Sequence, residues 1–400
     1  MTKKNIALIT LFIIFIVLTT INITFQALVG QPIIRQPAKP KPKTVLDSAQ
    51  KILRLSHCRS EPMIKDLKQS NDPHLIQLDK YQQVCRSLVT NQLMIFTDMP
   101  KDDIIAKNSA QKMAQRLKLF AQFQIRPLVI VEPVTAWGLI DFREFRSGFY
   151  DHFINTYFKT LKQSGIKDKE MGTWVPFPEA NLPLWNHINA TPADYAAIVN
   201  KYLRLMKKYF PQARGSVLLN SATYENDDFS WTSGEYVSLR PYLINIDHQL
   251  VDSFGVQGFP WAPPKTAQDQ SRVFNPQEFL SEPIITEAAE ILGVKKIWFN
   301  TGTFGAKYTV DPENKIEIDP AVRLDILNGI LSQAVRLKKK GYQVTINLFA
   351  QDKSNTKEAT DWSYLSESLS GSKKTELIFK EFIAKAIQEK IGISLFDRQD

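Results

Sequence analysis

Short strand-like runs alternate with helical stretches along most of this chain, and that alternation limits its fold more than any other feature. Gln92–Thr97, Pro127–Val131, a run opening at Met171, Gly215–Asn220, Val256–Phe259, Lys296–Asn300 and Tyr342–Phe349 read as buried strands. Between them, helical patterns cover 74–90, Asn108–Gln124, Phe142–Gln163, 192–209 and Lys374–Lys390. Two more helices are announced by their starts, Asn275-Pro-Gln-Glu278 and Asp319-Pro320, the second stopping at Gly341. Strands separated by helices pair in parallel. An open doubly wound sheet would carry a Gly-rich phosphate turn after an early strand, and none is present. The expected fold is therefore a (β/α)8 TIM barrel, with seven strands counted and a weak eighth expected between Trp137 and Arg146. The 400 residues accommodate such a barrel, which needs roughly 250.

The amino terminus is organised differently. Lys3 and Lys4 precede a charge-free run, Asn5–Ile34, whose most apolar part is Ile6–Leu18. A helix from Ile6 to Val29 is long enough to cross a bilayer, which takes roughly 20 residues. Residues 1–30 are thus expected to act as an uncleaved signal anchor or, alternatively, as a cleaved signal peptide. Residues 31–44 form a Pro/Lys-rich linker, and residues 45–400 the barrel. The expected location is the cell membrane, single-pass with an extracytoplasmic barrel, or secretion if the segment is cleaved. The net charge is +9, and six of those charges lie in residues 1–45, which hold no acid. The rest of the chain is nearly balanced, which argues against nucleic acid as a partner. Cys58 and Cys85 are the only cysteines. Outside the cytoplasm they read as a disulfide, or else as two separate buried thiols.

The chemistry concentrates on one stretch, Met171-Gly-Thr-Trp-Val-Pro-Phe-Pro-Glu-Ala-Asn-Leu-Pro-Leu-Trp185. A strand breaks at prolines and delivers Glu179 onto a loop beside Asn181 and Trp185. A helix follows, with Thr191 as N-cap and Pro192 at its first position. Strand, acid-bearing loop and helix make up the unit of a barrel active site. An isolated loop acid reads equally well as a solvated surface residue. Asp98 and Glu132 also end predicted strands, and Asp352 follows the last one. Glycosidic cleavage needs two carboxylates facing each other across the sugar. Trp137, Trp185, Trp231, Trp261 and Trp362 fall just after predicted strands, where flat rings can stack on sugars or simply pack loops. The five histidines lack metal-ligand spacing, so no metal is expected. No Gly-x-Ser-x-Gly turn is present, and no cofactor is implied.

Three segments resemble the clan A glycoside hydrolases, most closely family twenty-six, the β-mannanase type. Ser147-Gly-Phe-Tyr-Asp-His-Phe-Ile154 resembles that family's Gly-x-Tyr-Asp-x-Tyr helix start. Glu179-Ala-Asn181 with Trp185 resembles its acid motif at the end of the fourth barrel strand. Val251-Asp-Ser-Phe-Gly-Val-Gln-Gly-Phe-Pro260 resembles its sixth strand. The resemblance spans roughly residues 90–350. It implies a polysaccharide or oligosaccharide ligand, β-mannan or a related β-glycan. It assigns Glu179 as general acid, and Asn181, Trp185 and Phe259 to substrate binding, to which the places of Trp231, Trp261 and Trp362 after predicted strands add three further candidates.

The departures from the family pattern are informative. Pro178 stands where the family has His before the acid. Asn300 stands where the family has its nucleophile, a Glu two residues before a Gly. Phe259 replaces the Tyr that bonds that nucleophile. A neutral amide cannot form a covalent glycosyl-enzyme intermediate. Its neutrality also makes Glu179 a poorer proton donor than a second carboxylate would. Asn300 is expected to point into the barrel mouth across from Glu179. Three readings remain: a hydrolase in which Glu132 or Asp98 activates water, a non-catalytic carbohydrate-binding barrel, and a structural surface protein.

Overall fold

A computed structural model describes residues 71–84, 92–135, 138–181, 191–221, 238–259, 280–303, 307–311, 314–317, 319–350 and 373–396. All belong to one compact unit, Lys51–Asp400. Eight parallel strands close into a barrel: β1 (Gln92–Asp98), β2 (Arg126–Glu132), β3 (Thr173–Pro176), β4 (Arg214–Asn220), β5 (Ser253–Gly258), β6 (Lys296–Thr301), β7 (Gln343–Phe349) and β8 (Gly392–Phe396). Each strand pairs with its sequence neighbours, and β8 pairs back onto β1 through Leu93 and Leu395. This is the (β/α)8 TIM barrel that the alternation predicts.

The strands lie close to their expected positions, with one exception. The eighth is Gly392–Phe396, beyond the last helix, and not a segment between Trp137 and Arg146. That region instead holds a two-residue-per-strand hairpin, Val134–Thr135 with Gly138–Leu139, and a short helix. Gly392–Phe396 is five residues long, and its identity as a strand depends on having β7 on one side and β1 on the other.

The long helix expected over Phe142–Gln163 is two helices, Phe142–Ser147 and Asp151–Gln163. Gly148 separates them at φ 94°, a left-handed conformation in which its N–H returns to Glu144 and Phe145 carbonyls. The helix Pro192–Tyr209 forms as its cap predicts. Thr191 Oγ1 accepts from Asp194 N, and Asp194 accepts from Thr191 N. The remaining crossovers are Asp103–Gln122, Arg240–Leu243, Glu282–Ile291, Pro320–Lys339 and Lys373–Gln388. Residues 275–278, the expected capping box, lie outside the described residues, and the helix there runs from Ser281 as N-cap.

No helix is described after β8. The helix Pro73–Val84, which precedes β1, contacts the helices on either side of the β8–β1 seam. At its start Asp72 accepts from His74 and Leu75 N–H groups and from Arg116 Nε at 2.9 Å, on Asp103–Gln122. Near its end Tyr81 meets Phe379 of Lys373–Gln388 edge to face at 5.2 Å. Between them Gln77 Nε2 donates to Ala350 O at 2.8 Å, just past β7. A helix from ahead of the first strand thus covers the side of the barrel that a helix after the eighth would cover.

Two apolar clusters divide the core. The larger packs the outward strand residues, such as Val129, Val217, Phe254 and Phe299, against the helices. The smaller fills the barrel with the alternate residues Met94, Leu128, Ile130, Val175, Leu218, Phe259 and Trp298. Trp298 lies over Gly255, where an added Cβ would fall 2.2 Å from its ring. Its Nε1 donates to Ser216 Oγ at 3.0 Å, so the indole is satisfied inside the barrel.

Residues 1–30, the linker, Cys58 and Cys85 lie outside the described residues. Among the described residues no helix is long and apolar enough to cross a membrane.

The Asp72 cluster makes stability pH-dependent. Burial alone would raise the Asp72 carboxyl, but the hydrogen bond with His74 and the charge of Arg116 outweigh it and lower it to about 2. A carboxylate depressed in the folded state stabilises the fold above its unfolded value and loses that contribution as pH falls through the folded one. Asp72→Asn should therefore cost about 1–2 kcal/mol at neutral pH, allowing for partial solvent screening. The gap between variant and native in urea unfolding should close as pH falls from about 4 to about 2. A constant gap over that range would exclude the Asp72 charge as its source.

Candidate functional site

Glu179 follows a strand, as the sequence predicts, but that strand is β3 and not the fourth barrel strand that the resemblance implies, because among the described residues no barrel strand forms between Trp137 and Arg146 and β3 pairs directly with β2. The local backbone explains how it gets there. Pro176 and Pro178 cannot donate to a ladder, so regular pairing between β3 and β4 stops. Phe177 and Glu179 both adopt left-handed conformations, at φ 54° and 57°. Two such residues around a proline are costly for non-glycine side chains, and surrounding contacts must hold them. Phe177 is buried against Phe142, Phe145 and Tyr202, all edge to face. Its N–H donates to Val131 O, and Glu179 N–H donates to Leu218 O, both at 2.8 Å.

Asn181 extends this attachment. Its Nδ2 donates to Asn220 O at 2.6 Å, and its Oδ1 accepts from Asn220 N at 2.9 Å. The side-chain amide therefore pairs with β4 as a peptide group would. The resemblance assigns Asn181 to substrate. In the structure it ties the Glu179 loop to the end of β4.

The Glu179 carboxylate turns to the barrel axis. Its Oε1 accepts from Asn220 Nδ2 at 3.2 Å and from Gln257 Nε2. Gln257 Oε1 in turn accepts from Asn300 Nδ2 at 2.5 Å. Asn300 is thus linked to the acid through an intervening amide. It is 4% exposed and lies inside the barrel. Gln257 is the central residue of this arrangement, and sequence reasoning assigned it no role. The available signal was its alternation with Gly255 and Phe259 on a strand whose other face is apolar.

Asp98 and Glu132 are register partners at the ends of β1 and β2, so they lie side by side at the same rim of the barrel. β2 neighbours β3, and the three acids end three consecutive strands of the barrel. Asp98 is exposed, while Glu132 and Glu179 are partly buried. On the other side of the rim Phe259 and Phe349 meet edge to face at 6.0 Å. Gly302 lies between them, and a Cβ there would come within 3.2 Å of both residues. Among the described residues the rim is therefore polar and acidic over β1–β3 and lined by aromatic rings over β5–β7. Trp137, Trp185, Trp231, Trp261 and Trp362 lie outside the described residues, as does Asp352. Among the described residues no group of three metal-ligating side chains could hold a metal ion.

Gln257 supplies an N–H to the carboxylate and an oxygen to Asn300. Gln257→Leu removes both and leaves buried polar groups behind. Hydrogen bonds to charged groups are worth about 1.5–3 kcal/mol. Gln257→Leu should therefore lower the free energy of unfolding by about 2–3 kcal/mol in urea titration. A change below about 0.5 kcal/mol would show that the network does not hold the loop.

No family model matches the sequence, and no characterised protein matches it by sequence. The chain is similar in structure to an exo-β-1,4-mannosidase from an Opitutaceae bacterium, at 13% identity and a TM-score of 0.47, over 82% of this chain and 57% of that one. It is similar to the endo-β-1,4-mannanase of Thermotoga petrophila, at 11% identity and a TM-score of 0.43, over 77% and 72% of the two chains. It is also similar to the β-glucosidase of Thermotoga maritima, at 12% identity and a TM-score of 0.45, over 77% and 85%. The chain spans little more than half the length of the mannosidase.

Proposed function

We propose that this protein is a glycoside-hydrolase-like barrel that binds a β-linked glycan, β-mannan or a related polymer, at the C-terminal rim of its strands. The observation that carries the reading is the placement of Glu179. A carboxylate is held at the rim in a left-handed loop, by amide donors from two neighbouring strands. Strained backbone maintained around an acid at the C-terminal face of a barrel is the usual place for function. The three motif resemblances direct the choice of ligand toward sugars.

The same site disfavours the retaining route. That route needs a carboxylate nucleophile opposite the acid. Asn300 is neutral, buried and engaged with Gln257, and Phe259 offers no hydroxyl. We therefore assign the site to binding, with Glu179 as a hydrogen-bond acceptor for sugar hydroxyls. A second reading is favoured by one observation, the pairing of Asp98 with Glu132 at the strand ends next to β3. Either acid could activate water for an inverting cleavage with Glu179 as the acid.

Calorimetry against β-mannan, β-galactan and β-glucan oligosaccharides, with product analysis, tests both. Native protein should bind at least one without releasing retained-configuration product. Glu179→Gln should weaken that binding about tenfold, the equivalent of 1.4 kcal/mol. Binding that Glu179→Gln leaves unchanged would remove the acid from the site. Turnover lost in both Glu179→Gln and Glu132→Gln would favour the inverting route. Asn300→Glu that gained retaining activity would instead identify a disabled retaining site.

The proposal extends to location, with residues 1–30 as a membrane anchor, 31–44 as a tether, and the barrel outside the cytoplasm. The uncharged run Asn5–Ile34 and the prolines after it support this. Protease added to intact cells should release a barrel fragment that begins within 31–44. A barrel protected until lysis would reverse the orientation.

A further inference from the structure

One row of register partners in the barrel interior is polar, and it contains a matched donor and acceptor that are not bonded. Asn220, Gln257, Asn300, Asn347 and Ser394 are successive register partners across β4 to β8. Ser394 Oγ donates to Asn347 Oδ1. Asn300 Nδ2 donates to Gln257 Oε1, and Gln257 Nε2 donates to Glu179 Oε1. The carboxylate fixes these orientations, because an ionised carboxylate only accepts. Gln257 must turn its nitrogen to Glu179 and its oxygen to Asn300. Asn300 must then turn its nitrogen to Gln257, which leaves its Oδ1 on the far side. With the oxygen of Asn347 taken by Ser394, its Nδ2 remains. Asn300 Oδ1 and Asn347 Nδ2 are both buried and without a partner among the described residues. They are a donor and an acceptor on register-paired residues.

We propose that Asn300 Oδ1 and Asn347 Nδ2 share one bound water molecule, which closes a one-way hydrogen-bond relay from Ser394 to Glu179. The water accepts from Nδ2 and donates to Oδ1, so every donor in the relay points toward the carboxylate. Buried waters sit where a polar site offers such partners. Apolar groups flank the pair on both sides. The next interior positions toward the rim are Phe259, Gly302 and Phe349, already in mutual contact, and the next ones below include Trp298. Donors aligned in one direction polarise one another, which strengthens the final bond to Glu179. The inference holds whether or not a glycan binds above.

A high-resolution crystal structure of the full chain tests the water directly. A water within hydrogen-bonding distance of both atoms is expected. A direct Asn300–Asn347 bond, or a dry gap, overturns the proposal. Thermal unfolding of Asn300→Leu, Asn347→Leu and the double variant supplies a second measurement. Each single variant strands the shared water and the other amide, so the double variant should lower Tm by clearly less than the sum. Additive losses overturn the proposal. Should a single variant fail to fold, the native crystal structure alone decides.

Discussion

Closure of the sheet is the constraint on which the rest of this structure depends. A parallel sheet with two open edges would leave the backbone groups of β1 and β8 unpaired. The pairing of Gly392–Phe396 with Gln92–Asp98 removes both edges and turns eight strand ends into a ring. Only in that ring do the ends of β5–β7 come to face those of β1–β3, which carry Asp98, Glu132 and Glu179. The helix Pro73–Val84 reaches both sides of the seam, through Arg116 on one and Phe379 on the other.

Closure also creates the interior, and its composition is unusual. Barrel interiors are dominated by branched apolar residues. Here one row of register partners across five strands is built from amides and a hydroxyl, with Trp298 one interior position below it and Phe259 and Phe349 one above. Buried amides are tolerated only when satisfied. The carboxylate of Glu179 provides the terminal acceptor that lets Asn220, Gln257 and Asn300 be buried. The dependence is mutual, because those amides hold a loop with two left-handed non-glycine residues. Acid and interior therefore stabilise each other, and removing either exposes the cost of the other.

That dependence bears on function. Asn300, which the family resemblance aligns with a retaining nucleophile, is a neutral amide committed to Gln257. Among the described residues the rim over β5–β7 is lined by Phe259 and Phe349, and the polar part of the rim lies over β1–β3. Under the function proposed above, such a division suits recognition from one side of the mouth.

The sequence by itself determined the fold class, seven of the eight strands and the place of Glu179 just after one of them. Those features are local: apolar runs bounded by caps, prolines and glycines carry them. Thr191 with Asp194, and Asp319 before Pro320, specify helix starts with residues adjacent in the chain. The short strand Gly392–Phe396 was not legible, because five residues acquire strand character only from two neighbours distant in sequence. The break at Gly148 was hidden because apolar periodicity runs on through it. Only the tertiary structure decided the role of Gln257 and the buried setting of Asn300. Alternation along a strand indicates which residues share a face. Which residues of five strands share a row is set by register, which no single segment contains.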